Sequence, residues 1–176
     1  NYLNKINDQD INFVFLQCGV GSWAASGIWY YINKFGKKKP KIILVEPRQS
    51  DGVFESFVNG KRSKPMGSLE TIMDGLNCGI PSKSGWEIIK NGSDAVVKID
   101  DEDVKNAMKI FYNPIAGDQK IISGESGAAG LAGLIKCLKN KFFKKQLNIK
   151  KSSKILIFNT EGDTDKKTFR NIINSN

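Results

Sequence analysis

The chain has 176 residues, enough for one domain with a substantial core. It contains no histidine, which excludes histidine-based metal sites and Ser-His-Asp or Cys-His catalysis. Its formal charge is +9, but only Arg48, Arg62 and Arg170 are arginines, so a solvated lysine-rich surface is favoured over nucleic-acid binding.

The three cysteines, Cys18, Cys78 and Cys137, lack CxxC spacing, so neither a disulfide framework nor a zinc site is indicated. No signal peptide and no run of 18 apolar residues is found. We therefore expect a cytoplasmic protein that binds neither membrane nor nucleic acid. The chain begins at Asn1 without a methionine, in a polar segment typical of the tail of an earlier helix, and we expect a fragment.

The first predicted strand is Phe13–Leu16, apolar at every position as in a strand buried on both faces of a parallel sheet. It leads into the sequence Gly-Val-Gly-Ser at 19–22, whose glycines can adopt positive φ and admit a ligand close to the main chain. Ser22 is predicted to cap a helix over 23–35, which Gly36 closes. Because a helix N-terminus presents free N–H groups and a partial positive charge, this unit predicts a phosphate or carboxylate site.

This strand–loop–helix unit does not by itself identify its ligand. Gly19-x-Gly21-x-x-Ala24 satisfies the loose dinucleotide fingerprint, and Glu46 ends the next strand, where an acid would hold a ribose. A loop that holds the phosphate of pyridoxal phosphate (PLP) would look much the same. A tight turn that binds nothing is the third interpretation.

The middle of the chain continues the α/β pattern. A second strand at Lys41–Glu46, which Pro47 ends, completes a right-handed βαβ crossover with the first strand and its helix. Short helices are predicted at 51–58, 69–76 and 86–90, with a loop at 60–67 and an irregular turn at 75–81. A third strand at Ala95–Ile99 precedes a helix through Tyr112 that Asp100 caps.

The last third of the chain contributes two further glycine-containing turns. Residues 123–127 precede a helix at 128–140 whose small residues predict very close packing against a neighbour. A strand at Lys154–Phe158 enters the turn at 159–165, and a final helix covers 167–173. We see no internal repeat and no dividing linker. The pattern predicts one α/β unit, a three-layer sandwich with a mostly parallel sheet flanked by helices.

The three turns, at 18–22, 123–127 and 159–165, lie after or beside buried strands. In open α/β sheets ligands bind beyond the carboxyl ends of the strands. The first and third turns directly follow strands, so they can converge on one ligand. A single glycine turn is explained by a tight change of chain direction. Three such turns together favour a site where a ligand approaches the backbone closely.

Seven stretches in order resemble the carboxy-terminal part of the diaminopropionate ammonia-lyases, PLP enzymes of the tryptophan-synthase-like (fold type II) superfamily. They are VFLQCGVGS, IILVEP, ETIMDGLNCGIPS, GWEII, NPIAGD, ISGESGAAGL and FNTEGDTD. They cover nearly the whole chain. TIMDGLNCG and TEGDTD are far more specific than a glycine loop, and they favour PLP over NAD strongly.

The resemblance implies a cofactor site for PLP. The loop at 19–22 would grip the phosphate through backbone N–H groups, and Glu125 matches an acid near the cofactor ring. Asn159 falls where the superfamily commonly places a serine bonded to the pyridine nitrogen, and Thr160 follows it. The cofactor-binding residues implied are Gly19, Val20, Gly21, Ser22, Glu125, Asn159 and Thr160.

For the complete enzyme the resemblance implies α,β-elimination of 2,3-diaminopropionate to pyruvate and ammonia, by a homodimeric carbon–nitrogen lyase. The lysine that forms the Schiff base lies in an amino-terminal portion that residues 1–176 lack, so we expect no catalytic residue in this chain and no activity from it alone. A PLP-dependent serine or threonine dehydratase is the first alternative. A non-catalytic remnant of the fold and an NAD-binding domain are the others.

Overall fold

The computed structural model describes residues 10–115 and 117–175. The segment expected to be the tail of an earlier helix lies outside these residues. Within them, four strands pair in parallel in the order β3-β2-β1-β4. Their bounds are β1 Phe13–Gln17, β2 Lys41–Pro47, β3 Ala95–Ile99 and β4 Ile155–Ile157.

The same residues form α-helices that alternate with these strands over most of the chain. Their bounds are α1 Ser22–Phe35, α2 Gly52–Asn59, α3 Lys83–Gly92, α4 Asp101–Tyr112, α5 Ala129–Lys139, α6 Lys141–Leu147 and α7 Lys166–Asn174. None of these helices is long and apolar enough to cross a membrane.

The sheet is the middle of three layers, as the alternation along β1 makes plain. Phe13 and Phe15 belong to a core that includes side chains of α4, α5 and α7. Val14 and Leu16 point the other way, into a core built with α1, α2 and α3. Because successive strand residues face opposite sides, a strand with a core on each face must be apolar throughout. The predicted three-layer architecture is confirmed.

Helix α5 packs closely on the sheet, with side chains of the strands directly against its backbone at the glycines. A Cβ at Gly133 would lie 2.5 Å from Cγ2 of Val45 on β2, closer than any side chain tolerates. The glycine therefore lets the helix backbone approach the strand. This confirms the close packing predicted from the small residues of this segment.

The start of α4 joins three elements. Asp100 forms a capping box with Asp103, as its position before three acidic residues predicts. The Asp100 carboxylate also accepts from Nε of Arg48 at 2.7 Å and from Nζ of Lys136 on α5 at 2.8 Å. The hydrogen bond from Arg48 is the largest of the effects that lower the pKa of Asp100.

The helix predicted at 69–76 is wrong. Leu69 has a φ of 61°, and only Asp74–Leu76 forms a single 3₁₀ turn. Side chains from elsewhere take the backbone and hydroxyl donors of this segment: the Asp101 carboxylate accepts from the Ile72 N–H and the Thr71 hydroxyl. Such bonds replace the i→i−4 ladder that a helix would use.

Two further helix bounds differ from expectation. The predicted helix at 128–140 ends at Lys139, where Asn140 begins the separate helix α6 by accepting from the N–H groups of Phe142 and Phe143. The turn predicted at 86–90 is part of the longer helix α3, which Ser82 caps through the N–H of Gly85.

Candidate functional site

The chain reverses its direction across the sheet next to β1. From β1 it moves outward through β2 to β3, and it returns to the other side of β1 as β4. The carboxyl ends of β1 and β4 therefore flank a crevice, the usual place for a ligand in such sheets. A cavity of about 470 Å³ lies there. Its lining residues are Gln17, Gly19, Val20, Gly21, Ser22, Trp23, Gly75, Leu76, Cys78, Ser126, Thr160 and Glu161.

Gly21 precedes α1 as its N-cap and has φ 91° and ψ 0°, the left-handed conformation that favours glycine. The helix begins at Ser22, so the prediction that Ser22 is the N-cap is wrong by one residue. The N-cap position requires a backbone that leaves the helix, and here the glycine supplies it. The expectation of a positive φ holds for Gly21 and not for Gly19.

The loop before α1 carries unused hydrogen-bond donors. Among the residues that the structure describes, none accepts from the backbone N–H groups at 19–23. No side chain caps α1, and its first turn contains no acidic residue. These donors belong to residues that line the cavity, at the positive end of a 14-residue helix, an arrangement that suits an anion.

The opposite wall is held together by the second and third turns. Oε2 of Glu161 accepts from the N–H groups of Ser126 at 2.7 Å and Gly127 at 3.2 Å. Oγ of Ser126 in turn accepts from the N–H of Gly75 at 3.0 Å. The turns at 18–22 and 159–165, which were predicted to converge on one ligand, both contribute residues to the lining of this cavity, and so does the segment at 75–78.

Two of the predicted site residues lie outside the cavity lining. The Asn159 amide donates from Nδ2 to the carbonyl of Ile122 at 2.9 Å, and its Oδ1 lies 2.9 Å from Oγ of Ser123. It thereby joins the second and third turns. Glu125 is half-buried, and burial is the first cause of its raised pKa, with the charge of Glu161 adding to it. Direct contact of either residue with a ligand stays a prediction.

The cavity contains a polar pair that the sequence analysis did not single out. Gln17 ends β1, and its Nε2 donates to Oγ1 of Thr160 at 2.6 Å and to the carbonyl of Phe158 at 3.0 Å. Its Oε1 is buried and has no hydrogen-bond partner among the described residues. Of the pair, only Thr160 was predicted as a site residue.

Other lining residues were also missed, although a signal for some of them existed. Gly75, Leu76 and Cys78 belong to the specific stretch TIMDGLNCG, which was assigned no role in the site. Ser126 and Glu161 lie inside two of the glycine turns. Their contacts are long-range in sequence, and periodicity carries no information on such contacts.

Glu46 is fully buried, so it is not available to a ribose. Its two carboxylate oxygens accept from the N–H groups of Val53 and Phe54 in the first turn of α2, at 3.1 and 2.7 Å. Burial raises the pKa of Glu46 to about 8, against the lowering effect of these two hydrogen bonds. The geometry gives no support to the dinucleotide interpretation.

The raised pKa of Glu46 predicts a pH-dependent stability. Between about pH 4.5 and 8 the folded state holds a proton that the unfolded state releases, so stability decreases as the pH rises through this window. Relative to Glu46→Gln, we expect the free energy of unfolding of the wild type to fall by about 1.4 kcal/mol per pH unit between pH 5.5 and 7.5. Urea unfolding at several pH values measures it. Parallel curves for the two proteins would mean that Glu46 is ionised in the fold.

The site combines donors for an anion with a small polar group across an open cavity. The donors at 19–23 suit a phosphate, the Leu76 side chain offers an apolar surface, and the Thr160 hydroxyl can bond a ring heteroatom. No lysine is among the lining residues that the structure describes. The site can therefore bind a phosphorylated heteroaromatic ligand without supplying an amine that would attach it covalently.

Comparison with known proteins agrees with this chemistry. The profile of the family described as pyridoxal-phosphate dependent enzyme matches residues 3–161. Diaminopropionate ammonia-lyase from Escherichia coli (strain K12) is 35% identical over 164 residues, which are 91% of this chain and 41% of that protein. Serine racemase from Dictyostelium discoideum is 30% identical over 135 residues, 76% of this chain and 38% of that protein.

A crystal structure of the Escherichia coli ammonia-lyase, in complex with an aminoacrylate-PLP azomethine reaction intermediate, superposes with a TM-score of 0.84. The sequence identity is 34%, and the superposition covers 93% of this chain and 42% of that one. The predicted fold class and resemblance are confirmed. The chain spans about two fifths of the length of the relatives it matches.

Proposed function

Since the chain belongs to the family of pyridoxal-phosphate dependent enzymes, we propose that its cavity binds PLP in an ammonia-lyase that acts on 2,3-diaminopropionate. The observation that carries the proposal is the row of free backbone N–H groups at 19–23, at the N-terminus of α1 and in the cavity between β1 and β4. The 35% identity to diaminopropionate ammonia-lyase supports the reaction and the substrate.

The residues present fit the cofactor. The N–H groups at 19–22 and the hydroxyl of Ser22 would hold the phosphate at the positive end of α1, with no carboxylate in the first turn of that helix to oppose it. The Thr160 hydroxyl would face the ring nitrogen, Asn159 would hold the second and third turns together, and Glu125 would lie near the ring. When bound, PLP supplies an electron-withdrawing ring that stabilises the carbanion formed on loss of the α-proton.

The lysine that binds PLP covalently is proposed to lie outside these 176 residues. No lysine is found in the cavity lining over the described ranges, and the relatives are more than twice as long as the segment that this chain matches. The groups that move the α-proton would come from the same outside portion. The chain's own residues would bind and orient the cofactor.

A PLP-dependent dehydratase of serine or threonine is the second candidate. It is favoured by the 27% identity, over 109 residues, to phenylserine dehydratase from Ralstonia pickettii and by the match to serine racemase. Both relatives are less similar to this chain than the ammonia-lyase is. A non-catalytic remnant is the third.

We also propose a cytoplasmic homodimer, as the resemblance implies. The cysteines Cys18, Cys78 and Cys137 are all free thiols, which suits a reducing compartment. Sedimentation of the full-length protein tests the assembly: a monomer at micromolar concentration would contradict it.

Activity measurements on the full-length protein that contains this chain test the proposal. With PLP, we expect release of pyruvate and ammonia from 2,3-diaminopropionate at about 1 per second or faster, and slower turnover of serine and threonine. The 176-residue chain alone should release neither. Preference for serine or threonine would select the dehydratase, and turnover by the chain alone would contradict the proposed external lysine.

A further inference from the structure

We propose that Gln17 is a positioning residue which fixes the Thr160 hydroxyl as a hydrogen-bond donor to the ring nitrogen of PLP, so that the site selects an unprotonated ring nitrogen. The inference rests on the proposed function. It assigns Gln17 no contact with the reacting atoms, because Gln17 would act only through the orientation of Thr160.

The geometry around Gln17 fixes the orientation of its amide. Gln17 is 2% exposed, and its Nε2 lies 3.0 Å from the carbonyl oxygen of Phe158. A carbonyl oxygen can only accept, so the NH₂ end of the amide must face it. The second hydrogen of the same nitrogen then points to Oγ1 of Thr160, 2.6 Å away.

This orientation determines what the Thr160 hydroxyl can do. Its oxygen already accepts from Gln17, so its own hydrogen must be directed elsewhere. Over the described ranges the hydroxyl has no other hydrogen-bond partner, and Thr160 is exposed and lines the cavity. The hydroxyl is therefore left as a donor for whatever occupies the cavity beside it. A pyridine nitrogen accepts such a bond only when it carries no proton.

The neighbouring carboxylate of Glu161 is bound through one oxygen to the second turn. It lines the same cavity, and its Oε2 accepts from the backbone N–H groups of Ser126 and Gly127. A carboxylate beside the ring would favour a protonated nitrogen, which is the opposite of what Thr160 favours. The protonation state of the ring nitrogen therefore distinguishes the two partners.

The cost of placing Gln17 here also points to a role beyond packing. Its Oε1 is buried without a hydrogen-bond partner among the described residues, which is unfavourable for a polar atom. An apolar side chain of similar length would avoid that penalty. The nitrogen of the same amide bonds the Thr160 hydroxyl, which lines the cavity.

The test is a pH titration of the ring nitrogen in the full-length holoprotein, loaded with PLP that is ¹⁵N-labelled in the ring and followed by NMR. In the wild type we expect the nitrogen to remain unprotonated through neutral pH. Gln17→Met should raise the proton affinity of the ring nitrogen about tenfold by freeing the hydroxyl. Gln17→Leu should have the same effect, because it also removes the Nε2 donor.

Variants of Thr160 show whether Gln17 acts through that residue. Thr160→Val should raise the proton affinity as Gln17→Met does, and the double variant should show no additional effect. Thr160→Ser should behave like the wild type, because it keeps the hydroxyl. Circular dichroism confirms the fold of each variant, and if Gln17→Met does not fold, Gln17→Leu and the Thr160 variants decide.

Three outcomes would overturn the inference. A protonated ring nitrogen in the wild type would overturn the inference. The proposed function would be unaffected, because PLP would still be bound. An unchanged titration in folded Gln17 variants would show that Gln17 only packs. A wild-type protein that does not bind PLP in equilibrium dialysis would remove the proposed function itself, and the inference with it.

Discussion

Replacement of Gly21 by valine is expected to lower the free energy of unfolding by about 4 kcal/mol. Two effects add. Position 21 has φ 91°, which a β-branched residue adopts only under strain. A Cβ there would also lie 2.3 Å from Cδ1 of Ile89, which is fully buried on α3 in the core between the helices and the sheet. Urea unfolding followed by circular dichroism measures the loss.

Gly60→Val is the matched control. Gly60 has a similar backbone conformation, with φ 66° and ψ 5°, but no atom lies within 4 Å of the position of its Cβ. This variant should show the strain alone, about 1–2 kcal/mol. Equal losses at positions 21 and 60 would contradict the contact with Ile89, and an unchanged midpoint for Gly21→Val would contradict the loop conformation itself.

This expectation replaces a simpler one from the sequence. A glycine in an anion-binding loop suggests that a side chain would block the ligand, while the fold would suffer little. In the structure Gly21 is buried, and its missing side chain would point toward Ile89 rather than into the cavity. A change at position 21 therefore tests the fold first, and the phosphate site needs a different probe.

Replacement of Ser22 by aspartate is that probe, because it should act in opposite directions on folding and on binding. Ser22 is exposed in the first turn of α1, where the helix has no acidic residue. A carboxylate there stabilises the helix by about 0.3–1 kcal/mol. It should also repel a phosphate at the same N-terminus by about 2 kcal/mol or more, which weakens PLP binding at least thirtyfold. Equilibrium dialysis and urea unfolding measure the two effects.

Ser22→Asn separates charge from shape. Asparagine matches aspartate in size and carries no charge, so it should bind PLP within a few fold of the wild type. If Ser22→Asp and Ser22→Asn weaken binding equally, charge at this position does not matter, and the phosphate lies elsewhere in the cavity.

Much of the fold could be predicted from local sequence. Strands at 13–16, 41–46 and 95–99 are rich in apolar residues because their side chains contribute to the cores on both faces of the sheet, and Asp100 precedes a helix with three acids in its first turn. The turns at 18–22 and 159–165 were predicted to converge because both directly follow strands, and those strands pair in one parallel sheet. In each case a short stretch of sequence was enough for the prediction, because burial, helix capping or strand direction alone determines the local structure.

The predictions from sequence are wrong or incomplete where contacts between residues far apart in the chain determine the local structure. Residues 69–76 have a helical pattern, but the Asp101 carboxylate accepts from the Ile72 N–H and the backbone carbonyl of Gln49 accepts from the Leu69 N–H. From the sequence, Gln17 is indistinguishable from any other strand residue. Only its hydrogen bond to Thr160, 143 positions away, indicates a role in the site. Asn140 ends the helix predicted at 128–140 and caps a further helix, Lys141–Leu147, that was not predicted.

The most direct test of the central claim compares PLP with pyridoxal, which lacks the phosphate, in equilibrium dialysis against the wild-type protein. If the N–H groups at 19–23 hold the phosphate, PLP should bind at least about a hundredfold more tightly, because several charge-assisted hydrogen bonds are lost with it. Ser22→Asp should remove most of this difference and leave pyridoxal binding unchanged. Equal affinities of the wild type for PLP and pyridoxal would contradict a phosphate site at the start of α1.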